Sequence, residues 1–528
     1  MNNHNPSDLG CSFLAHTPTQ VWSPESFDSD DRLMISEADS FVRNEVLPVQ
    51  DRLDQQEEGL MVGIIRKAGE IGFCGVDAPA EHGGLGQKKS VAAAILERLS
   101  MNASFSVTYG ITSGISQQGL VLFGTEAQKS QYLPLLTSGE WMGAYALSEP
   151  NSGTDAFSLT CRADLVGDKW VLNGTKMWIS NAKWADLFLV MAKVDGQHLA
   201  AFLVPRTAPG VSVSREEHKM GLKGSSTARL ILENAEVPLD ALVHEPGKGH
   251  QVAMNALNLG RFKLGAMSLG PARLAMEEAV KYAGERRQFN SPLSGFGLIR
   301  QKLAKMAAHF FAAESVLYRT GGLLDDGFDR AEDTPEGLRK AAEEHSVECS
   351  MVKVVTTEAQ AMIVDEAFQI YGGYGFTEEF PIARIYRDSR ISRIYEGTNE
   401  INRVFIADRF VRRIQEGRAS LPDQGEGFIA DMAVRVVGLY DKTDQIKAAA
   451  VSDLLMLAFT DQTTRIRAEK VGGVALSAYQ LWLNEAQMKA AYQWQTLTGE
   501  SVQVPASMQG LEDLVAQAAI DKKGVLSF

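Results

Sequence analysis

No two of the four cysteines in this sequence stand close together: they are Cys11, Cys74, Cys161 and Cys349. Without C-x-x-C spacing a zinc ribbon and a thioredoxin-type centre are excluded, and four thiols are too few to staple so long a chain. They are expected to be reduced and buried, as in a cytosolic protein. A basic excess is also missing: 52 lysines and arginines face 66 aspartates and glutamates, a formal net charge of -14. Such a chain repels phosphate backbones, so a nucleic-acid role is not expected. A nucleotide pocket made of backbone N–H groups and one or two arginines remains open. No apolar run approaches the roughly 18 residues that span a bilayer. The opening MNNHNPSDLG has neither a basic region nor an apolar core, so no secretory signal is read and a cytoplasmic location is expected. The β-α-β alternation of a doubly wound sheet is absent, as is any internal repeat of 20–50 residues. No metal site is expected.

What is present is ordinary globular composition, 45% hydrophobic and 22% charged, over 528 residues. That length exceeds one core and implies several domains. The pattern divides into five stretches. Residues 1–30, rich in Pro, Ser, Asp and Asn, form a lead-in arm. Residues 31–140 are helical, starting from the capping run Asp28-Ser29-Asp30-Asp31. Residues 141–248 hold short β-rich runs separated by turn residues at Asn173-Gly174, Asp195-Gly196 and Pro209-Gly210, predicting an antiparallel barrel or sandwich. In this reading Asn173-Gly174 closes a hairpin between Lys169–Leu172 and Met177–Ser180. Residues 249–418 read as a helical bundle with members over 252–258, 271–287, 298–322, 335–371 and 401–415. A Pro/Gly/Asp-rich break precedes a helical extension, 421–528, with a further break near Gly499 and Pro505.

Four motifs could carry chemistry. Ala146 to Asp155 (ALSEPNSGTD) is a loop dense in hydrogen-bonding groups after a β-rich run, fit for a pyrophosphate or the edge of a polar ring, and equally for a capped connector. Lys176 to Asn181 (KMWISN) sets an indole near a hydroxyl, which suits a flat aromatic ligand or a barrel core. Gln369 to Phe376 (QIYGGYGF) ends a long helix on three glycines, exposing backbone N–H groups or simply capping the helix. In Tyr395 to Glu400 (YEGTNE) a carboxylate stands beside a glycine, so that a ligand could approach the backbone next to a base; a surface glutamate paired with one of the nearby arginines would look the same.

In this order, on a helix/β/helix layout, the four motifs resemble the acyl-CoA dehydrogenase family over roughly residues 30–415. The chain looks most like the very-long-chain type and its bacterial relatives. Residues 146–155 match the family's first motif and QIYGGYGFTEEFPIARIYRD, 369–388, the second; GFCGVDAPAEHGGLG, LFGTEAQKSQYLP, KMGLKGSSTARL and NLGRF add to the match. The resemblance implies a multidomain α+β fold: an N-terminal α-helical domain, a middle antiparallel β-domain, a C-terminal helical bundle and an additional helical extension.

It also implies FAD, bound between the β-domain and the bundle. Tyr145, Leu147, Ser148 and Thr154 would line the flavin and pyrophosphate, and Trp178 and Ser180 would flank the isoalloxazine ring. Arg286, Gln369 and Gly373 would reach a neighbouring subunit's FAD, with Thr398 and Glu400 completing the site, so a dimer is the smallest working unit. Ser148 and Ser180 stand where many relatives have threonine, keeping the hydroxyl; Gly297 stands where several shorter-chain relatives have glutamine. Glu396 matches the family's base, which takes the α-proton of an acyl-CoA while hydride leaves the β-carbon for flavin N5. The enolate oxygen would be held by the Glu396 N–H and a ribityl hydroxyl. Some relatives carry the base at the position of Gly260-Arg261, which here offers no carboxylate.

Asn258, Arg261 and Thr154 would contact CoA or shape its pocket, and Tyr395 and Gly397 would pack against the thioester. Small side chains at Ser106, Gly110, Ser113 and Gly114 would leave depth for a long acyl tail. Electron-transfer flavoprotein is the implied acceptor, and fatty acid β-oxidation the implied setting. Over 421–528 there are 9 basic against 13 acidic residues, which gives little support to peripheral membrane docking. The alternatives are a dehydrogenase for shorter or branched acyl groups, an oxidase or monooxygenase on the same fold, and a non-catalytic acyl-CoA-binding or assembly protein.

Overall fold

The computed structural model describes residues 9–506, 508 and 510–526. The chain forms two compact units, 33–263 with 331–343, and 9–32 with 264–330 and 344–526. Its helices are α1 (Ser29–Phe41), α2 (Gln50–Asp54), α3 (Leu60–Glu70), α4 (Lys89–Leu99), α5 (Ala103–Gly110), α6 (Ser116–Phe123), α7 (Glu126–Thr137), α8 (Gly249–Glu285), α9 (Gly297–Asp329), α10 (Pro335–Glu344), α11 (Ser346–Tyr371), α12 (Pro381–Ser389), α13 (Asn399–Gln415), α14 (Phe428–Val436), α15 (Gln445–Val471), α16 (Val474–Thr498) and α17 (Glu512–Asp521). Among the described residues no helix is long and apolar enough to cross a membrane, and no His/Cys/Asp/Glu cluster is suited to a metal. The four cysteines are buried and none is in a disulfide, and burial alone pushes the Cys74 thiol up to about 12.

In the first unit, helices α3–α7 precede an eight-stranded sheet: β1 (Gly143–Ala146), β2 (Arg162–Val166), β3 (Lys169–Ser180), β4 (Leu187–Val194), β5 (His198–Pro205), β6 (Val211–Val213), β7 (Thr227–Pro238) and β8 (Leu242–Val243). Strands run in the order β6-β7-β3-β2-β4-β5-β8, and β1 also pairs with β4. β4 and β5 are apolar nearly throughout and buried, unlike the half-exposed β2 and β3. Most pairings are antiparallel, as the alternation predicts, but β1 and β2 both run parallel to β4. The Asp195-Gly196 turn closes the β4–β5 hairpin, with both residues at positive φ.

The expected hairpin at Asn173-Gly174 is not formed. β3 passes straight through it, and the turn of the β2–β3 hairpin falls at Gly167 instead. Asn173-Gly174 is a bulge where the β3–β7 register slips. The Asn173 side chain accepts the Asn234 N–H (2.8 Å), and a Cβ on Gly174, at φ +148°, would lie 2.9 Å from the Cys161 Cα. Asparagine satisfies the donor that the slip releases, and glycine admits the neighbouring strand. The dipeptide carries a bulge's chemistry as well as a turn's.

The second unit is helical. The segments expected at 252–258 and 271–287 are one 37-residue helix, α8, running through Pro271, and it begins in the first unit. The segment 335–371 is two helices separated at His345, of which α10 falls almost wholly in the first unit and α11 in the second. The extension supplies α14–α17: α15 packs on α9 and α13, α16 and α17 on α9, and α14 on α15 and α16, through cores such as Leu454, Leu455, Phe459 and Trp482. The lead-in arm is not merely extended: Cys11, Phe13, Val21 and Phe27 are buried, and Phe13 packs on Phe410 and Phe459. Residues 1–8 of the expected arm lie outside the described residues.

Candidate functional site

The singled-out residues fall into two groups, one in each unit. In the first unit the group is built on the second irregularity of β3. The β3–β7 register slips again between Lys176 and Ile179. This releases the Met177 N–H from the ladder, and it donates to the Ser148 carbonyl at 2.8 Å. The slip also turns Trp178 to φ +61°, and its side chain stands 56% exposed rather than in a core. An indole in so open a position on a left-handed residue costs both burial and backbone strain, the kind of expense met at binding sites. Ser180 ends the strand opposite Thr227.

The loop that follows β1 is held from beneath. Lys176, fully buried, donates to the Leu147 carbonyl (3.1 Å) and to Glu149 Oε1 (2.8 Å). Glu149 also accepts the Thr160 N–H (2.6 Å), the Thr160 hydroxyl (2.8 Å) and the Cys161 N–H (2.9 Å). Burial works to raise the Glu149 pKa, but Lys176 and the two backbone donors overrule it and hold it below the usual carboxylate range. Burial draws the Lys176 pKa down against the pull of Cys161 and Glu149. With this anchor, and with Glu149 and Ser152 exchanging backbone bonds, Leu147 is buried, Ser148 half-buried and Thr154 exposed. Tyr145 lies on β1 with its hydroxyl oxygen shielded from solvent. Asn258 and Arg261, one turn apart and buried on α8, touch each other at 3.4 Å.

The four small residues at the expected acyl floor also lie in this unit. Ser106 bonds to Ser100 (2.7 Å) and Ser113 to the Tyr109 carbonyl (2.9 Å). Lys263 lies against Gly114, donating to the Ser113 carbonyl (3.2 Å) and to the buried Asp77 (2.9 Å). Gly110 ends α5, and a π-helical turn, Ile111–Ile115, follows.

In the second unit, Glu396 and Gly397 are consecutive left-handed residues, φ +58° and +80°. A non-glycine residue there is strained and must be held by its surroundings. The holders are Lys353 and Asn402. Lys353, buried on α11, donates to the Gly397 carbonyl (2.8 Å) and to Asn399 Oδ1 (2.7 Å). The Asn402 amide donates to the carbonyls of Gly397 (2.8 Å) and Thr398 (3.0 Å). Thr398 caps α13 by accepting the Ile401 N–H (3.3 Å), and Glu400 occupies the first turn, where its charge suits the helix end. Glu396 is half-buried and its Oε2 is shielded from solvent. Burial, then Glu396 and Asp388, push the neighbouring Tyr395 hydroxyl up.

A separate concavity of about 440 Å³ in the same unit brings together Arg286, Gly373 and Tyr374. The Arg286 guanidinium lies 5.3 Å from the centre of the Tyr374 ring. Gly372 turns the chain at φ +60°, and a Cβ on Gly373 would meet nothing within 4 Å. Gln369, exposed on the last turn of α11, accepts the Gly372 N–H through its carbonyl. Sequence reading missed Lys176, Glu149, Lys353 and Asn402. Only Lys353 stands inside an apolar run, SMVKVV; the other three have polar neighbours that hide them.

Profiles described as the N-terminal, middle and C-terminal domains of acyl-CoA dehydrogenase match residues 28–140, 144–235 and 247–411. A probable acyl-CoA dehydrogenase of Bacillus subtilis is 44% identical, over 79% of this chain and 72% of that protein. The human mitochondrial short-chain enzyme is 36% identical over 72% of this chain and 90% of its own length. The Macaca fascicularis very-long-chain enzyme is 37% identical over 68% of this chain and 54% of its own. A Bacillus anthracis acyl-CoA dehydrogenase solved with FAD superposes with a TM-score of 0.93 at 36% identity, over 98% of this chain and 99% of that one. With three matching profiles in order and these relatives, the chain belongs to the acyl-CoA dehydrogenase family.

Proposed function

We propose that this protein is an FAD-dependent dehydrogenase that converts long-chain acyl-CoA to trans-2-enoyl-CoA, with Glu396 as the base. The observation that carries this is the Glu396-Gly397 turn: a carboxylate on a strained, left-handed backbone, beside a glycine, held by Lys353 and Asn402. A thioester α-proton is only weakly acidic, so the enolate oxygen must be held as the proton leaves. Glu396 takes the proton, and its own backbone N–H donates to that oxygen. Tyr395 and Gly397 pack against the thioester; Asn258, Arg261 and Thr154 contact CoA or shape its pocket. Bound FAD supplies the acceptor for the hydride that leaves the β-carbon.

Tyr145, Leu147, Ser148, Thr154, Trp178 and Ser180 would hold the flavin and pyrophosphate. The exposed Trp178 and the pinned loop over Lys176 fit a flat ring and a phosphate-bearing chain. Arg286, Gln369 and Gly373 would reach a neighbouring subunit's FAD, and Thr398 and Glu400 would complete the site, making a homodimer the smallest working unit. The open face of Gly373 and the stacked Arg286 support that assignment. Electron-transfer flavoprotein is the assigned electron acceptor and β-oxidation in the cytoplasm the setting. The preference for long chains rests on the small side chains at Ser106, Gly110, Ser113 and Gly114, since the short-chain and very-long-chain relatives, 36% and 37% identical, do not separate the two by identity.

Anaerobic titration of the FAD-loaded protein with palmitoyl-CoA and butyryl-CoA tests the reading. Palmitoyl-CoA should bleach the visible flavin band and butyryl-CoA should barely change it. Bleaching by butyryl-CoA alone would overturn the chain length and keep the dehydrogenase. Protein that cannot be loaded with FAD would overturn both.

A further inference from the structure

The second unit contains a cavity of about 620 Å³ that the proposed chemistry does not use. It is formed by α9, α11 and α13 together with α15 and α16 of the extension. Its volume is in the range of small-molecule sites. Much of the wall is apolar: Ala312 and Val354 from the bundle, Met456, Leu457, Trp482 and Tyr492 from the extension. Three methionines, Met362, Met456 and Met488, give that wall adaptable surface.

The charged groups are unevenly matched along it. At one end Arg403 holds two carboxylates, Glu358 (2.8 Å) and Asp453 (2.7 Å), and Gln493 donates to the other Asp453 oxygen (2.9 Å). That arginine has nothing left for a ligand anion. At the other end Glu485 bonds to His309 (3.1 Å), with Lys305 at a longer 3.8 Å. Burial lowers the His309 pKa, which favours the uncharged ring. Lys489 stands one turn after Glu485 on α16, exposed, and enters no hydrogen bond or ion pair among the described residues. Its field reaches His309, Glu485 and Asp453. Lys305 and Lys489 thus both act on Glu485, and Lys489, which also stands one turn before Gln493, acts on Asp453 as well.

We propose that this cavity binds a small anionic amphiphile, one carboxylate or phosphate head carrying a hydrocarbon body, with the head at Lys489 and Lys305 and the body against Leu457, Met456 and Trp482. The apolar body replaces water in a preformed chamber, and the head gives Lys489 a direct hydrogen-bonded partner beside the longer-range pull of Glu485 and Asp453.

The test is calorimetric titration of the full-length protein with dodecanoate, and with dodecanol as the uncharged counterpart. Leu457, half-buried on the wall, is replaced by the bulkier Leu457→Trp; the exposed lysine is reversed in Lys489→Glu. The expected result is one saturable dodecanoate site per chain that is lost in Leu457→Trp and weakened about tenfold or more in Lys489→Glu. Dodecanol should bind weakly to all three proteins. Bleaching of the flavin by acyl-CoA should be unchanged in both variants, showing that they fold and that the site is separate from the proposed active site. Equal dodecanoate binding in all three proteins would place the ligand elsewhere and overturn the proposal. Loss in Leu457→Trp without change in Lys489→Glu would overturn the anionic class, as would dodecanol binding as tightly as dodecanoate. If Leu457→Trp does not fold, Lys489→Glu decides alone.

Discussion

Two buried lysines do the same geometric task in the two units, with different electrostatics. Lys176 reaches from β3 to hold the Leu147 carbonyl, and Lys353 reaches from α11 to hold the Gly397 carbonyl. Each fixes a loop that carries residues proposed to touch ligand. Lys176 is tied to a buried carboxylate, Glu149, which is itself bound by Thr160 and Cys161. Lys353 donates to two neutral oxygens of the turn, the Gly397 carbonyl and Asn399 Oδ1, and its charge also acts on the exposed Glu400. The loop after β1 is therefore secured by an ion pair whose halves depend on each other, and the Glu396 turn by charge-assisted hydrogen bonds at a strained backbone. The first arrangement makes the loop part of the unit's stability. The second holds the backbone of the turn that carries Glu396.

Breaking the ion pair should have the largest effect on stability. Lys176→Met leaves Glu149 buried without its cation, and thermal or denaturant unfolding should report a loss of about 3–5 kcal/mol. If the pair is the reason, adding Glu149→Gln to Lys176→Met should recover part of that loss; a double variant as weak as the single would show that the pair is not what holds the loop.

Lys353→Met should cost less stability, about 1.5–3 kcal/mol for hydrogen bonds from a charged donor. Its clearer signature is kinetic: a lower rate of flavin reduction by acyl-CoA with FAD content unchanged. A variant that loses FAD but reduces normally when reloaded would reverse the contrast drawn between the two lysines.

The smallest effect is on pH dependence. The folded pKa of Glu149 lies below its ordinary value. Its contribution is therefore fully present above the ordinary glutamate pKa of about 4.3 and is lost as the pH falls through the folded value. Wild-type stability measured downward from pH about 5 should decline more steeply than that of Lys176→Met/Glu149→Gln. Parallel curves would remove Glu149 from the account.

Much of this was legible in the sequence, for definite physical reasons. Hydrophobic periodicity and turn residues gave the helix/β/helix order, and motif spacing drew attention to Ser148, Trp178, Gly373 and Glu396. The anchors were not legible. Lys176 and Lys353 are separated in sequence from most of the atoms they hold, by up to 46 residues in the case of Asn399. A buried lysine looks like any other until the fold is known. The two bulges of β3 were hidden for a related reason: Asn173-Gly174 suits a turn as well as a bulge, and only the partner strand β7 decides between them. The slip at Lys176 to Ile179, which frees Met177 to bond Ser148, leaves no mark in composition at all.

The central claim is that Glu396 removes the α-proton. FAD-loaded Glu396→Gln mixed anaerobically with palmitoyl-CoA, followed by the flavin's visible absorbance, tests it directly. The account predicts that the thioester still binds and perturbs the flavin spectrum, while reduction slows by about 10²–10⁴-fold, the range for removing a positioned base. Reduction at the wild-type rate would contradict it.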